Sequence, residues 1–418
     1  MNRTRPARTV AIAAVGLVSA LALTSCSATR TETEETTAAG SSTDACTTDA
    51  GGSSQGITDD TILLGMFTPL TGSVADPGNG ALDGFNVALD LVNAAGGIQG
   101  RQVELVTEDD QYDASVALQA ARRLNEEDEV FAFAGGVGTP NFVGVLPYIE
   151  ENSIPSIGPY APSNQVGVME NPDVFMIWPN FIDEFEVGMT YALGTDDAPS
   201  SVSLVRLIGD TGDDATTGLE NALGEVGMEL ADIEEVESTT TDFSSIALSL
   251  KNTGADMVAT IITNPQTAQL IEAMNQVGYY PQLLAQSDMT DESYISQYGD
   301  ISQGMIVPTK VAPFSTDDDL VQEFVTNFTE ATGEAPSMWN AVGYVQALVT
   351  FEALEQAPVL TRECLEQTLV EMDGFATGLI PPVTFGEDSR QGTNAVGVGI
   401  IEGDEVVEAA PFQVVGGE

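Results

Sequence analysis

From Thr61 to Pro159 the apolar positions follow two periods in turn. The short runs TILLGMF (61–67), RQVELVTED (101–109), EVFAFAGG (129–136) and IPSIG (154–158) are β-branched or aromatic and close on Gly, Pro or Asp, which predicts strands. Between the first two, Leu82, Phe85, Leu89 and Val92 recur at spacings of three and four, predicting a helix ended by Gly96 and Gly97. Asp113 predicts the cap of a second helix, with a stripe of Val116, Ala117, Ala120, Ala121 and Leu124. Thr139 before Pro140 predicts the N-cap and first-turn proline of a third, carrying Phe142, Val145, Leu146 and Ile149. Strands separated by helices of this length pair in parallel through right-handed crossovers. The stretch therefore predicts an open α/β sheet, which binds ligands beyond the carboxyl ends of its strands.

The pattern then repeats. SVSLVRLIG (201–209), LADIEEVE (230–237), DMVATIIT (256–263) and QLLAQ (282–286) alternate with helical segments and predict a second doubly wound sheet. After MIVPTKVAPF (305–314) come helices at 317–331 and 336–357 and the segment Cys364–Asp373. The last runs, VTFG, NAVGVGIIEG and EVVEAAPFQVV, have no helix between them and predict antiparallel strands. These late elements must join sheets already formed, so the chain crosses between two lobes more than once.

At the amino end Arg3, Arg5 and Arg8 precede an apolar run from Val10 to Leu23 broken only by Ser19, the layout of an export signal over residues 1–25. Leu23-Thr24-Ser25-Cys26 resembles the bacterial lipobox, which implies that Cys26 carries a lipid anchor and is the chain's sole attachment to the membrane. Residues 26–55 are Thr, Glu, Ser, Gly and Ala with almost no large apolar side chain, the composition of a disordered tether. With Cys26 acylated, Cys46 and Cys364 remain as an even pair in an oxidising compartment, which predicts a disulfide; two free thiols are the alternative.

Charge narrows the chemistry. With 64 acidic and 12 basic side chains and no histidine, the net charge of −52 excludes nucleic acid as a partner. The absence of histidine removes Ser-His-Asp and Cys-His catalysis and every histidine metal site. The carboxylates are not spaced as a calcium loop, and Gly136-x-Gly138 lacks the third glycine of a dinucleotide fingerprint, since Asn141 stands in its place. A non-enzymatic protein with no metal and no cofactor is expected. The acidity suits a surface kept soluble by repulsion or adapted to high salt, and lysine occurs only at Lys251 and Lys310.

LTG (70–72), ALDGFNVALDLVNAAGGIQGRQVELVTEDDQYD (81–113), AGGVGTPNFVGVLPYIEENSIPSIGP (134–159) and the tail resemble the type I periplasmic binding proteins, and more narrowly their leucine/isoleucine/valine-binding branch, over residues 57–415. The resemblance implies two Rossmann-like lobes joined by three crossing strands, with a cleft between them. Lobe 1 is expected over 56–180 plus about 309–378, and lobe 2 over 181–308 plus about 379–418. The implied function is a lipid-anchored, extracytoplasmic protein that closes on a small carboxylate-bearing solute, an amino acid of branched-chain type or an amide, and delivers it to the permease subunits of an ABC importer. The alternative is a ligand sensor signalling through a membrane partner.

The same resemblance assigns site residues. Thr139 stands where the family holds the ligand carboxylate, and Ala161 with Ser163 where an Ala-Thr pair follows the fourth strand. Asp288 stands where amino acid binders place the partner of the ligand ammonium. The two second-lobe tyrosines of those binders are missing, with Thr211 and Thr263 or Asn264 at the approximate positions. Thr71 and Ser73 are expected to line the mouth, and Tyr160 and Trp178 to supply apolar walls.

Overall fold

The computed structural model describes Cys46, residues 54–72 and residues 74–414. The export segment, Cys26, most of the tether and Ser73 lie outside the described residues.

The first lobe follows the predicted alternation. Its elements are β1 (Thr61–Thr68), α1 (Ala75–Ala94), β2 (Gln102–Asp109), α2 (Ala114–Arg122), β3 (Ala132–Ala134), α3 (Thr139–Val143), α4 (Leu146–Asn152), β4 (Ser156–Ile157) and β5 (Val174–Phe175). The strands pair in parallel in the order β2-β1-β3-β4-β5, with Thr61 opposite Gln102. β1 is an interior strand flanked by helices, so Ile62, Leu64 and Met66 on one face are closed off and its alternate residues are largely covered too. The Asp113 carboxylate accepts from the Ser115 and Val116 N–H groups and caps α2 as predicted, and a π turn over Arg123–Glu127 carries Leu124 into the core.

The predicted third helix is two short ones. Pro147 has no N–H to offer the Val143 carbonyl, so α3 ends and α4 restarts after Gly144. Thr139 is the first residue of α3 rather than its cap; that position is held by Gly138 at φ 119°.

The second lobe contains α5 (Phe181–Leu193), β6 (Val202–Leu207), α6 (Asp210–Glu225), β7 (Asp232–Val236), α7 (Ser244–Thr253), β8 (Met257–Ile261), α8 (Asn264–Gln276), β9 (Gln282–Ala285), α9 (Glu292–Tyr298) and β10 (Ile306–Thr309). After α10 (Asp319–Thr332), α11 (Met338–Gln356) and α12 (Arg362–Val370), the chain ends in β11 (Ala395–Glu402) and β12 (Glu405–Val414). The sheet order is β12-β11-β10-β9-β8-β6-β7, parallel from β7 to β10 and antiparallel from β10 to β12. The predicted strand VTFG contributes only isolated bridges, Phe375 to Val383 and Gly386 to Ser389.

The cores show how the late elements are shared. One buried cluster joins residues from Ile62 to Trp178 with residues from Val321 to Phe385, while two others cover the second sheet with residues from Phe181 to Val307 and from Val396 to Ile401. The chain thus passes between lobes three times. The first and third passages lie side by side, with Met176 N–H donating to the Arg390 carbonyl at 2.9 Å and Gly392 N–H to the Met176 carbonyl at 2.7 Å.

The returning α11 packs against α1 through glycine. A Cβ on Gly84 would stand 1.8 Å from the Asn340 carbonyl oxygen, and one on Gly343 would stand 1.7 Å from that of Ala81. The buried face of α1 is Gly78, Ala81, Gly84, Phe85, Val87 and Ala88, and of the predicted stripe only Phe85 belongs to it, Leu82, Leu89 and Val92 being half-buried, because the helix turns its small residues to α11. Cys46 and Cys364 form a disulfide with Cα atoms 4.9 Å apart, and Cys364 lies buried in the first turn of α12.

Candidate functional site

In each sheet the strand order reverses at one point, between β1 and β3 and between β6 and β8. Side chains at such a reversal splay apart and leave a crevice at the carboxyl ends. The two crevices face one cavity of about 360 Å³ between the lobes. The first lobe lines it with Val74, Tyr112, Val137, Thr139, Tyr160 and Trp339. The second contributes Leu207, Thr211, Asn264, Asp288, Tyr294 and Tyr298.

Asp288 lies in a 3-10 turn, Ser287–Thr290, between β9 and α9. The cap of α9 is Asp291, which accepts from Ser293 N–H at 2.9 Å and Tyr294 N–H at 3.3 Å, so the Asp288 carboxylate is left for the cavity. Its Oδ1 accepts from the Tyr160 hydroxyl at 3.0 Å, and among the described residues its other oxygen takes no hydrogen bond. Burial pushes the carboxyl up to about 6, against the pull of the Lys310 charge. The Asn264 side chain steadies the turn by donating to the Asp288 carbonyl at 3.3 Å.

Tyr160 is held by two edge contacts, to Trp178 and Trp339, each at 5.1 Å between centroids. Burial first, and then the nearby Asp288 charge, push its phenol well above the ordinary range, which keeps it a donor. Tyr112 stands opposite Asp288 and is raised for the same two reasons. Its backbone adopts φ 59°, set by Asp110, whose carboxylate accepts from Tyr112 N–H at 2.8 Å and from the Asn141 amide. Burial pushes Asp110 itself up to about 6. Thr139 is buried at the cavity wall, and among the described residues its hydroxyl takes no hydrogen bond.

Of the residues expected from sequence, Thr139, Tyr160, Thr211, Thr263, Asn264 and Asp288 line this cavity. Thr71, Ala161, Ser163 and Trp178 stand away from it. The Thr71 hydroxyl donates to Asp109 at 2.6 Å, turning it to the end of β2. Ala161 is fully enclosed, and Ser163 turns inward, where its oxygen accepts from Gln165 N–H at 3.2 Å. Ser73 lies outside the described residues. Trp178 backs Tyr160 instead of forming a wall, its indole N–H donating to the Gly158 carbonyl at 3.3 Å. The Thr263 hydroxyl is engaged by Gln266 at 3.1 Å.

Tyr112, Trp339, Tyr294 and Tyr298 were not among the expected residues. Two second-lobe tyrosines are thus present, on α9 rather than after β6 and β8. A signal for them existed, since residues four apart share a helix face. Trp339 arrives on α11, and no local pattern shows where that helix returns.

The sequence profile of the periplasmic binding protein family matches residues 61–404. A Leu/Ile/Val-binding protein homolog 7 from Brucella abortus (strain 2308) is 23% identical over 331 residues, which are 75% of this chain and 81% of that protein. Among solved structures, a fatty acid ABC transporter substrate-binding protein from Thermomonospora curvata superposes with a TM-score of 0.79 at 21% identity, covering 87% of this chain and 94% of its own. A possible leucine/isoleucine/valine-binding protein from Rhodopirellula baltica SH 1 gives a TM-score of 0.76 at 22% identity, covering 84% and 96%.

Proposed function

The chain belongs to the periplasmic binding protein family, a family of non-enzymatic, extracytoplasmic binding proteins, and on that premise we propose that it is the lipid-anchored solute receptor of an ABC importer. Its solute is a small molecule bearing both a carboxylate and an ammonium group, an amino acid of branched-chain type or one with an amide side chain, gripped as the lobes close.

The observation that carries this reading is Asp288, a carboxylate in the cavity with one oxygen that has no donor among the described residues, across from the Thr139 hydroxyl, which has no partner among them either. An ammonium answers the first. A carboxylate, as a hydrogen-bond acceptor, answers the second. The wall also holds Asp76 and Asp291 and, among the described lining residues, no lysine or arginine. The T. curvata neighbour is named for fatty acids, which carry no cation. An anion alone would leave the Asp288 carboxylate unanswered and meet its repulsion. The rings of Tyr112, Tyr160, Tyr294, Tyr298 and Trp339 suit an apolar side chain and attract a cation through their faces. The Cys26 anchor rests on the sequence motif, and among the described residues no helix is long and apolar enough to cross a membrane.

A thermal-shift screen against amino acids, their amides and simple aromatic and aliphatic acids tests the reading. A cognate ligand at a hundredfold excess over its Kd adds roughly 2.7 kcal/mol to stability. Stabilisation by acids that lack an amine, and by no amino acid, refutes it.

A further inference from the structure

We propose that Lys310 is a positioning residue of this site, fixing the place and the charge of Asp288 from behind the cavity wall. Lys310 is the first residue after β10, where the chain begins its passage back to the first lobe, and it is 3% exposed. In a chain of 12 basic residues this one is enclosed, ion-paired with the fully buried Glu184 of α5. Neither touches the cavity, and a buried ion pair is weak evidence of stabilisation, so its placement asks for another reason.

Two paths lead from Lys310 to Asp288. Glu184, held by Lys310 through one oxygen, accepts from Ser287 N–H at 2.9 Å through the other, which pins the backbone one residue before Asp288. Lys310 Nζ also lies 4.9 Å from the Tyr160 ring centroid and 5.1 Å from that of Phe181, so it braces the ring whose hydroxyl holds the Asp288 carboxylate. The groups around that carboxylate are Glu184 from α5, Lys310 from the second passage, Tyr160 after β4, Tyr112 after β2 and Asp291 before α9. Lys310 is the one cation among them.

Glu184, Lys310 and Asp288 together carry one net negative charge, which a single ligand ammonium neutralises. Without Lys310, two neighbouring carboxylates share a water-poor space, and burial and repulsion drive a proton onto Asp288. Without the Glu184 charge, Asp288 loses that repulsion while Lys310 still attracts it, so it stays ionised to lower pH. The two variants therefore move Asp288 in opposite directions, which a purely structural pair would not do.

The test is a carboxyl carbon-13 NMR titration of the full chain labelled in aspartate, the Asp288 signal being assigned by its loss in Asp288→Asn. The parent midpoint is expected at about 6. Lys310→Met is expected to raise it by about one pH unit or more, and Glu184→Gln to lower it. The combined variant should return close to the parent. If Lys310→Met does not fold, the comparison of Glu184→Gln with the combined variant decides, because the two differ only by the lysine's charge and a higher midpoint in the combined variant requires that charge to reach Asp288. Folded variants that titrate at the parent's midpoint overturn the proposal. Only the importance of Asp288 rests on the amino acid reading. The titration uses no ligand, so it can fail while that reading stands, and tight binding by Asp288→Asn would sink that reading while leaving the titration intact.

Discussion

The Tyr160 hydroxyl reaches from the first lobe to the Asp288 carboxylate of the second, 3.0 Å away. Two further hydrogen bonds cross the same seam, Asn164 N–H to Asp214 at 3.0 Å and Met338 N–H to Glu292 at 3.0 Å. In all three a second-lobe carboxylate accepts from a first-lobe donor. Burial raises the pKa of each of these acids, as expected for carboxylates drawn into a closed seam.

Tyr160→Phe keeps the ring and its contacts to Trp178 and Trp339 but removes one of these bonds. A hydrogen bond to a charged group contributes roughly 1.5–3 kcal/mol, so the ligand-free variant should populate a more open form. Small-angle scattering checks this: the radius of gyration should rise relative to the parent, and an unchanged value contradicts the role of the bond.

The pH dependence of binding follows from Asp288. Its pKa in the folded protein, about 6, lies above the ordinary carboxylate value, so between the two the folded state holds the proton more tightly than the unfolded state does. This term favours folding at low pH and is lost as pH rises through about 6. Ligand binding runs the other way. An ammonium needs the ionised form, so affinity should fall about tenfold per unit below the midpoint, with proton release on binding. Calorimetry in buffers of different ionisation enthalpy measures both, and an affinity flat from neutral pH to well below the midpoint contradicts the assignment.

The contact between α1 and α11 leaves no room for a side chain. Gly84→Ala and Gly343→Ala should each destabilise the first lobe by about 1–3 kcal/mol or more, because the new methyl meets a backbone carbonyl rather than a flexible side chain. Urea unfolding with an unchanged slope and a lower midpoint is the expected result.

Removing the Cys46–Cys364 bridge should cost roughly 2–4 kcal/mol, since it frees the unfolded chain from a long closed loop. Non-reducing peptide mapping should find the linked pair. Two titratable thiols in unfolded, unreduced protein would contradict it.

Much of this architecture was legible because it rests on period and punctuation. The strand runs and the Asp113 cap are local signals, and each sheet follows from them. Thr139, Thr211, Asn264 and Asp288 were within reach because they follow strands, where an α/β sheet places its crevice. Tyr112 and Trp339 were not. The first needs a left-handed backbone set by Asp110, and the second needs the three-dimensional return of α11. Thr71 and Ser163 misled for the opposite reason. Their hydroxyls had nearer protein partners, Asp109 and the Gln165 N–H, that no linear spacing reveals. Lys310 and Glu184 are 126 positions apart and meet only because the first and second passages between lobes converge.

The central claim is that Asp288 and Thr139 hold the two ends of one zwitterionic solute. Calorimetry with the amine-bearing ligand found by screening, on the parent, Asp288→Asn and Thr139→Ala, tests it directly. Asp288→Asn should weaken binding by roughly 3–5 kcal/mol, because the ammonium is left in the closed cleft without its counter-charge. Thr139→Ala should cost about 1 kcal/mol, because only one hydroxyl hydrogen bond to the solute is lost. Binding by Asp288→Asn as tight as the parent's would contradict the claim and assign the cavity to a neutral or anionic solute.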